Sequence, residues 1–269
     1  IALMHELLAR DPRNAAVIRP FIGGDEVNNS PELAHHRFAI FFGGMSEEEA
    51  RQYPDVMSVV EARVRPDRER ATRAGHQRWW WRFAETRPGL AGAVSPLPRV
   101  IVLSKTSKYL AFAFLPSDLI FSEKLKVFPS ASDGYFACLQ SRLHEAWAQF
   151  FGGSRGETAD YVPTDCFETF PFPTLHSRDQ ALFEIGKQYY DLRSELMIRN
   201  REGLTATYNR FHDPDETSPD ILGLRALHDV MDRAVLDAYG WTDLRPTCEF
   251  LLDYEDEVDE GADSGRTRQ

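Results

Sequence analysis

Apolar positions along this chain follow two periods. Short runs rich in β-branched and aromatic residues, each bounded by Gly, Pro or Ser, predict four strands: HHRFAIFF at 35–42, PRVIVLSKT at 98–106, YLAFAFLP at 109–116 and EKLKVFP at 123–129. The intervals between the last three are shorter than the dozen residues a parallel crossover needs, so antiparallel pairing is expected. Helical spacing governs most of the rest. IALMHELLAR opens the chain as an amphipathic helix, and SEEEARQYPDVMSVVEARVRPDRERA carries a capping box, Ser46 with Glu49, and an interruption at Pro54. GYFACLQSRLHEAWAQFF, 134–151, places Leu139, Leu143, Ala146, Trp147 and Phe150 at helical spacing, which predicts one core-facing helix ending at Gly152-Gly153.

Two further helices follow. One is the long run SRDQALFEIGKQYYDLRSELMIRNREG, stopped by Gly203; the other is SPDILGLRALHDVMDRAVLDAYG, with a Ser-Pro start and a stop at Gly240. Joined through TATYNRFHDPDET, they are expected to form an antiparallel pair. The pattern as a whole is α+β. It divides into 1–173, rich in strands with inserted helices, a helical region at 174–244, and an acidic tail at 245–269 expected to be disordered.

Composition narrows the class. With 269 residues, 42% of them hydrophobic and 12% aromatic, the chain has the makings of a real core, and no repeat of twenty to fifty residues marks a solenoid. Its longest apolar stretches, 110–115 and 38–42, fall far short of the ~20 residues of a membrane span. Three cysteines, Cys138, Cys166 and Cys248, with no C-x-x-C spacing, suit a reducing cytoplasm. The start at Ile1, inside a helical pattern and without a leader, reads as a piece of a longer polypeptide.

The net charge of -11 hides a split. Between Glu61 and Lys108 lie eleven Lys or Arg and only four acids, a local charge of +7, so the remainder carries -18; eight acids with no Lys or Arg fall within 249–263. A localised anion-binding face is one reading, and a salt-bridged helix surface is the other.

Catalytic patterns are weak. Pro54-Asp55 followed by Glu61-Ala62-Arg63 caricatures a metal-nuclease array, but Arg stands in the Lys position and the carboxylates fall on a predicted helix. Cys138 and His144 are six apart on a predicted helix and face opposite ways, which favours a buried structural thiol. His35-His36 on a strand point to opposite faces; His212 beside Asp213 and Asp215 is a nominal metal cluster. No Gly-rich phosphate loop and no N-P-P-[FY] or D-P-P-[YW] tetrapeptide occurs. The run Trp79-Trp80-Trp81 with Arg78, Arg82 and Arg87 suits base stacking, yet three consecutive side chains cannot share one face, so at least one belongs to a core. FETFPFP is extended, and its phenylalanines are expected to pack into their own domain.

Several strings carry a family resemblance. FIGGDEVNNSP, HHRFAIFF, YPDVMSVVEARVRPDRER, RWWWRFAETRPGL, VIVLSKTSKYLAFAFLP, FACLQSRLHEAWAQFFG, DCFETFPFP, GLTATYNRFHDP and LHDVMDRAVLDAYGW occur in order over most of 18–241. The set resembles the C-terminal half of the single-chain adenine-specific DNA methyltransferases of type II-L (MmeI-type) restriction-modification systems and related phage-defence enzymes of bacteria. That resemblance implies an antiparallel-sheet DNA target recognition domain with inserted helices, followed by an α-helical hairpin region. It implies double-stranded DNA as partner, an upstream methyltransferase domain in cis, and S-adenosylmethionine as cofactor of the full-length parent, with none in this chain. The turn at 104–108 aligns with the family's base-reading turn, which places Lys105 and Ser107 at the reading positions, where the family often has an acid and an arginine. Lys can donate to guanine O6 and N7, and Ser can donate or accept. Arg63, Arg65, Arg68, Arg73, Arg78, Arg82 and Lys108 are the expected phosphate contacts. The alternative is a protein-interaction module whose basic face docks an acidic partner.

Overall fold

The computed structural model describes residues 1–155, 158–174 and 180–244, with backbone alone for the described residues of 153–160. The acidic tail at 245–269 and Cys248 lie outside the described residues. Two hydrophobic cores organise the rest. The first begins with α1 (Ala2–Arg10), which leads through a 3-10 turn capped by the Asp11 side chain into β1 (Ile18–Ile22). After α2 (Gly24–Asn29) comes β2 (Arg37–Ile40), antiparallel to β1 with Ile18 opposite Ile40 and Phe21 opposite Arg37.

The expected helix around Pro54 is three helices: α3 (Glu47–Ala50), α4 (Pro54–Arg63) and α5 (Arg65–Glu69). The Ser46–Glu49 capping box starts α3 as predicted. Pro54 begins α4, and Pro66 sits in the first turn of α5, where a missing N–H costs least, so each proline restarts the helix. Short α6 (Ala74–Arg78) and α7 (Pro88–Val94) follow. Leu7, Ile18, Phe42, Val56, Met57, Val60 and Trp80 form this core, so one of the three tryptophans is indeed interior.

The second core is built on a sheet of β3 (Arg99–Ser104), β4 (Ala113–Pro116) and β6 (Leu125–Phe128), with the short β5 (Ile120–Phe121) between the last two in sequence. The order is β4-β3-β6, antiparallel throughout, with Ile101 facing both Phe114 and Phe128. β5 leaves this sheet and pairs parallel with β1, tying the two halves together. The expected strand at 109–116 is shorter than its apolar run. At its start the Gln140 side chain replaces the ladder, accepting from Phe112 N–H at 3.0 Å and donating to Leu110 O at 2.9 Å.

The stretch 134–151 is not one helix. It breaks at Ser141 into α8 (Asp133–Gln140) and α9 (Arg142–Phe151), and the Ser141 hydroxyl caps α9 by accepting from His144 N–H. The break resets the helical phase. Leu139 is buried as expected, but Ala146 is exposed, Phe150 is 82% exposed, and His144 and Ala148 take the inward face instead. A hairpin of β7 (Gly153–Arg155) and β8 (Thr158–Asp160) and the short α10 (Pro163–Cys166) precede the last helices. FETFPFP packs inward as read: Phe167 lies against Phe128, and Phe170 against His144 and Trp147.

The two long helices are α11 (Gln180–Asn200) and α13 (Pro219–Ala238), antiparallel as expected, since Asn200 at the end of one bonds Asp220 at the start of the other. Their connection is not a plain linker: it contains α12 (Leu204–Phe211), which buries Leu204, Thr207, Tyr208 and Phe211. These helices share one core with β3, β4, β6 and α8. Arg193 is the joint. Only 1% exposed, it donates to Phe112 O at 2.6 Å, Tyr208 OH at 2.9 Å and Gln140 Oε1 at 3.2 Å, inside a cage of Phe136, Tyr189, Tyr190 and Tyr208 rings. Burial works against its charge, and the surrounding tyrosines more than offset that, so the guanidinium stays protonated. Among the described residues no helix is long and apolar enough to cross a membrane.

Candidate functional site

β3 is buried along Val100–Ser104 and delivers the chain to an exposed turn at its end. There Lys105, Thr106 and Lys108 are exposed and Ser107 is half-buried, so the two expected reading residues share one surface turn. The turn is held from three sides. Lys105 N–H donates to Lys124 O at 2.8 Å, anchoring it to the strand beside it. From α2, Asn28 donates to Thr106 O at 2.9 Å and to Ser104 Oγ at 3.2 Å. From α12, Asn209 accepts from Tyr109 OH at 3.1 Å, while the His212 ring at its end lies flat on Tyr109, 4.5 Å between centroids and 6° between planes.

Close packing makes this arrangement possible. A Cβ on Gly24 would lie 2.7 Å from Ser104 Oγ, and one on Gly203 would lie 2.5 Å from backbone atoms of Asn28 and Asn29. Only glycine lets α2 approach the strand end and α12 approach α2 at these distances. Burial pushes His212 down to about 4, with Arg142, Arg225 and Lys108 adding to the effect, so its ring is neutral near pH 7 and stacks without a charge to solvate. Lys108 Nζ sits 5.4 Å over the Tyr109 ring.

The basic segment divides into paired and unpaired arginines. Arg65 pairs with Glu69 at 2.7 Å and Arg70 with Asp67 at 3.5 Å, which realises the salt-bridged surface for part of it. Arg63, Arg68, Arg73, Arg78, Arg82 and Arg87 form no ion pair with a carboxylate among the described residues. Arg78 and Arg82 instead flank the Trp79 ring at 5.2 and 5.0 Å, and Arg65 covers Trp80 at 4.8 Å. Trp81 donates its indole N–H to Met45 O, so the tryptophan run is packing and cation–π scaffolding. Arg68, Arg73 and Arg87 line a cleft of about 840 Å³ together with Arg19, Asp118 and Glu123. Glu123 immediately precedes Lys124, the residue whose carbonyl anchors the turn.

Below the turn, Glu26 is fully buried and bound by both oxygens to Arg37 at 2.6 Å, and it also accepts Gly23 N–H at 3.0 Å. Burial favours protonation, but the guanidinium and backbone donors prevail and hold its pKa below the ordinary carboxylate value. Sequence reasoning missed this pair, Asn28, Tyr109 and Asn209. It also gave His212 another role, since among the described residues no group of His, Cys, Asp and Glu is arranged to hold a metal.

The nuclease-like residues are engaged otherwise: Asp55 faces Arg10, and Glu61 pairs with Arg51 at 3.0 Å. Cys138 is fully buried, and His144 Nδ1 lies 2.8 Å from Leu139 O with Nε2 3.1 Å from Tyr161 OH. Burial pushes His144 down to about 4. A buried neutral imidazole occupied on both nitrogens serves packing.

The geometry defines an α+β module with a braced, exposed turn and a cleft lined by arginines. The fold is that of the solved "Structure of Type IIL restriction-modification enzyme MmeI in complex with DNA", with a TM-score of 0.67 and 21% identity over 90% of this chain and 31% of that one. The chain thus corresponds to about a third of that chain's length. Residues 2–174 match the family described as "MmeI, target recognition domain", and the chain belongs to that family. No curated protein sequence matches it.

Proposed function

We propose that this chain is the sequence-specific duplex DNA recognition module of an S-adenosylmethionine-dependent N6-adenine DNA methyltransferase acting in restriction-modification or phage defence. The reading is carried by family membership over 2–174 together with an exposed turn, Lys105 to Lys108, fixed at the end of a buried strand. Lys105 and Ser107 contact base edges, and Arg63, Arg65, Arg68, Arg73, Arg78, Arg82 and Lys108 contact phosphates. The module holds the duplex while an upstream domain extrudes the target adenine. This sequence has no N-P-P-[FY] or D-P-P-[YW] tetrapeptide to hold an extruded base, so the reading gives that step, and with it the S-adenosylmethionine chemistry, to the upstream domain.

Anisotropy of a labelled mixed-sequence duplex, titrated with salt, tests the phosphate face. Binding should weaken with salt, and changing Arg63, Arg68 and Arg73 to Gln should lower the slope of log K against log salt by about 0.9 for each phosphate no longer neutralised. In the full-length parent, Lys105→Glu should alter the methylated motif at a single position. Salt-insensitive or absent duplex binding by the parent would replace this reading with a module that docks an acidic protein.

A further inference from the structure

We propose that α2 and α12 form a brace that sets the position of the reading turn, which makes Asn28, Tyr109, Asn209 and His212 positioning residues for sequence discrimination. The inference rests on the reading of the turn as the base-contacting element. It assigns a role to the helical region beyond 174, which the family match does not reach.

A base edge is read by hydrogen bonds whose geometry tolerates little displacement. A four-residue surface turn has no such precision alone, when it is fixed only by β3 and by the Lys105 bond to Lys124 O. Two further restraints act on the turn itself. Asn28 ties the Thr106 carbonyl, midway between Lys105 and Ser107, and also ties Ser104 Oγ. On the far side Tyr109 is clamped by a stacked ring and a hydrogen bond from the same helix region, and its own N–H donates to Ser107 Oγ at 3.3 Å. The brace closes on itself, since α12 starts against the backbone of Asn28 and Asn29 at Gly203. Tyr208, whose ring lies beside the stacked pair at 6.1 Å from both Tyr109 and His212, is held by Arg193 from inside the core. Neither Asn28 nor His212 needs to touch DNA to act this way.

The test measures equilibrium binding of the full-length parent to its methylated motif and to duplexes with each base pair of the motif replaced in turn. Lys105→Ala should abolish discrimination at one base pair. His212→Ala and Asn28→Ala should lower discrimination at that same pair by about tenfold, within the roughly 5- to 150-fold that one mismatched pair costs, and leave the other pairs unchanged. His212→Phe, which keeps a flat ring against Tyr109, should restore it. Tyr109→Phe, which removes only the bond to Asn209, gives a smaller loss and guards against variants that fail to fold. Wild-type discrimination in the brace variants, or an even loss at every pair, while Lys105→Ala acts at one pair, overturns the brace alone. A Lys105→Ala variant that discriminates everywhere as wild type overturns the reading of the turn.

Discussion

Arg193 offers a sharp test of how the helical region is fastened to the sheet. Truncation to Ala removes donors to Phe112 O, Tyr208 OH and Gln140 Oε1. Two of these acceptors keep other partners, because Gln140 still receives Phe112 N–H and Tyr208 OH lies 3.0 Å from Tyr189 OH. The Phe112 carbonyl loses its strongest donor, at about 1–3 kcal/mol for an unsatisfied buried group. The space left inside the aromatic cage adds about 2 kcal/mol at roughly 24 cal/mol per Å³. The desolvation of the buried cation is offset in the native state by its three acceptors and the four rings around it, so relieving it leaves most of these two losses standing. The expected net loss for Arg193→Ala is about 3 kcal/mol. Arg193→Met fills the space and carries no charge, so its expected loss is about 1 kcal/mol. Urea unfolding followed by near-UV circular dichroism, with m held constant, measures both. An Ala variant within about 0.5 kcal/mol of wild type would refute the account of Arg193 as the joint. Equal losses for Ala and Met would show that the hydrogen bonds, not the filled volume, dominate.

Gly203→Ala forces a Cβ to within 2.5 Å of backbone at Asn28 and Asn29, so a loss of at least about 1–3 kcal/mol is expected in the same unfolding assay, with weakened protection of the Asn28 side-chain amide by NMR. His144 gives a pH signature. Its folded value of about 4 lies below the ordinary 6.5, so the native state binds fewer protons between them; the contribution is complete above about pH 6.5 and is lost as pH falls toward 4, at up to about 1.4 kcal/mol per unit. Unfolding at stepped pH should therefore show a shallower acid limb in His144→Asn, and an unchanged limb would refute the assignment. Arg65 already pairs with Glu69, so Arg65→Gln should change the salt slope of duplex binding less than Arg73→Gln does, and equal changes would argue against the sorting of paired and unpaired arginines.

The second sheet and the long helices were legible because their signals are local. VIVLS and LKVF are apolar runs between Pro, Ser and Gly, and Ser46, Pro54, Gly203 and Gly240 punctuate helices by rules that hold within one turn. β1 was not legible, because IRPFI is short and holds Arg19 and Pro20, and it is a strand through its partners β2 and β5. The break at Ser141 had a weak signal, a serine three residues before a helical N–H, that the stronger periodicity around it concealed. Helix α12 was hidden for the converse reason, since its sequence LTATYNRF looks polar while its Thr207 and Tyr208 are interior.

The turn itself could be found from sequence, but what holds it could not. Asn28 reaches Thr106 across 78 positions, Tyr109 reaches Asn209 across 100, and Arg193 reaches Phe112 across 81. Asn, Tyr and His are ordinary surface residues in a polar stretch, and only the fold converts them into partners. The arginines show the same division. The Arg65–Glu69 pair follows from i,i+4 spacing, and the +7 of its segment already counts both members. Arg78 and Arg82 meet Trp79 as near neighbours in sequence, whereas the cleft that Arg68 and Arg73 share with Arg19 and Asp118 joins segments far apart in the chain, which no spacing rule supplies. A local charge count therefore does not locate the basic surface, because Arg68, Arg73 and Arg87 share a cleft with Arg19, which lies outside the counted segment, and with Asp118 and Glu123.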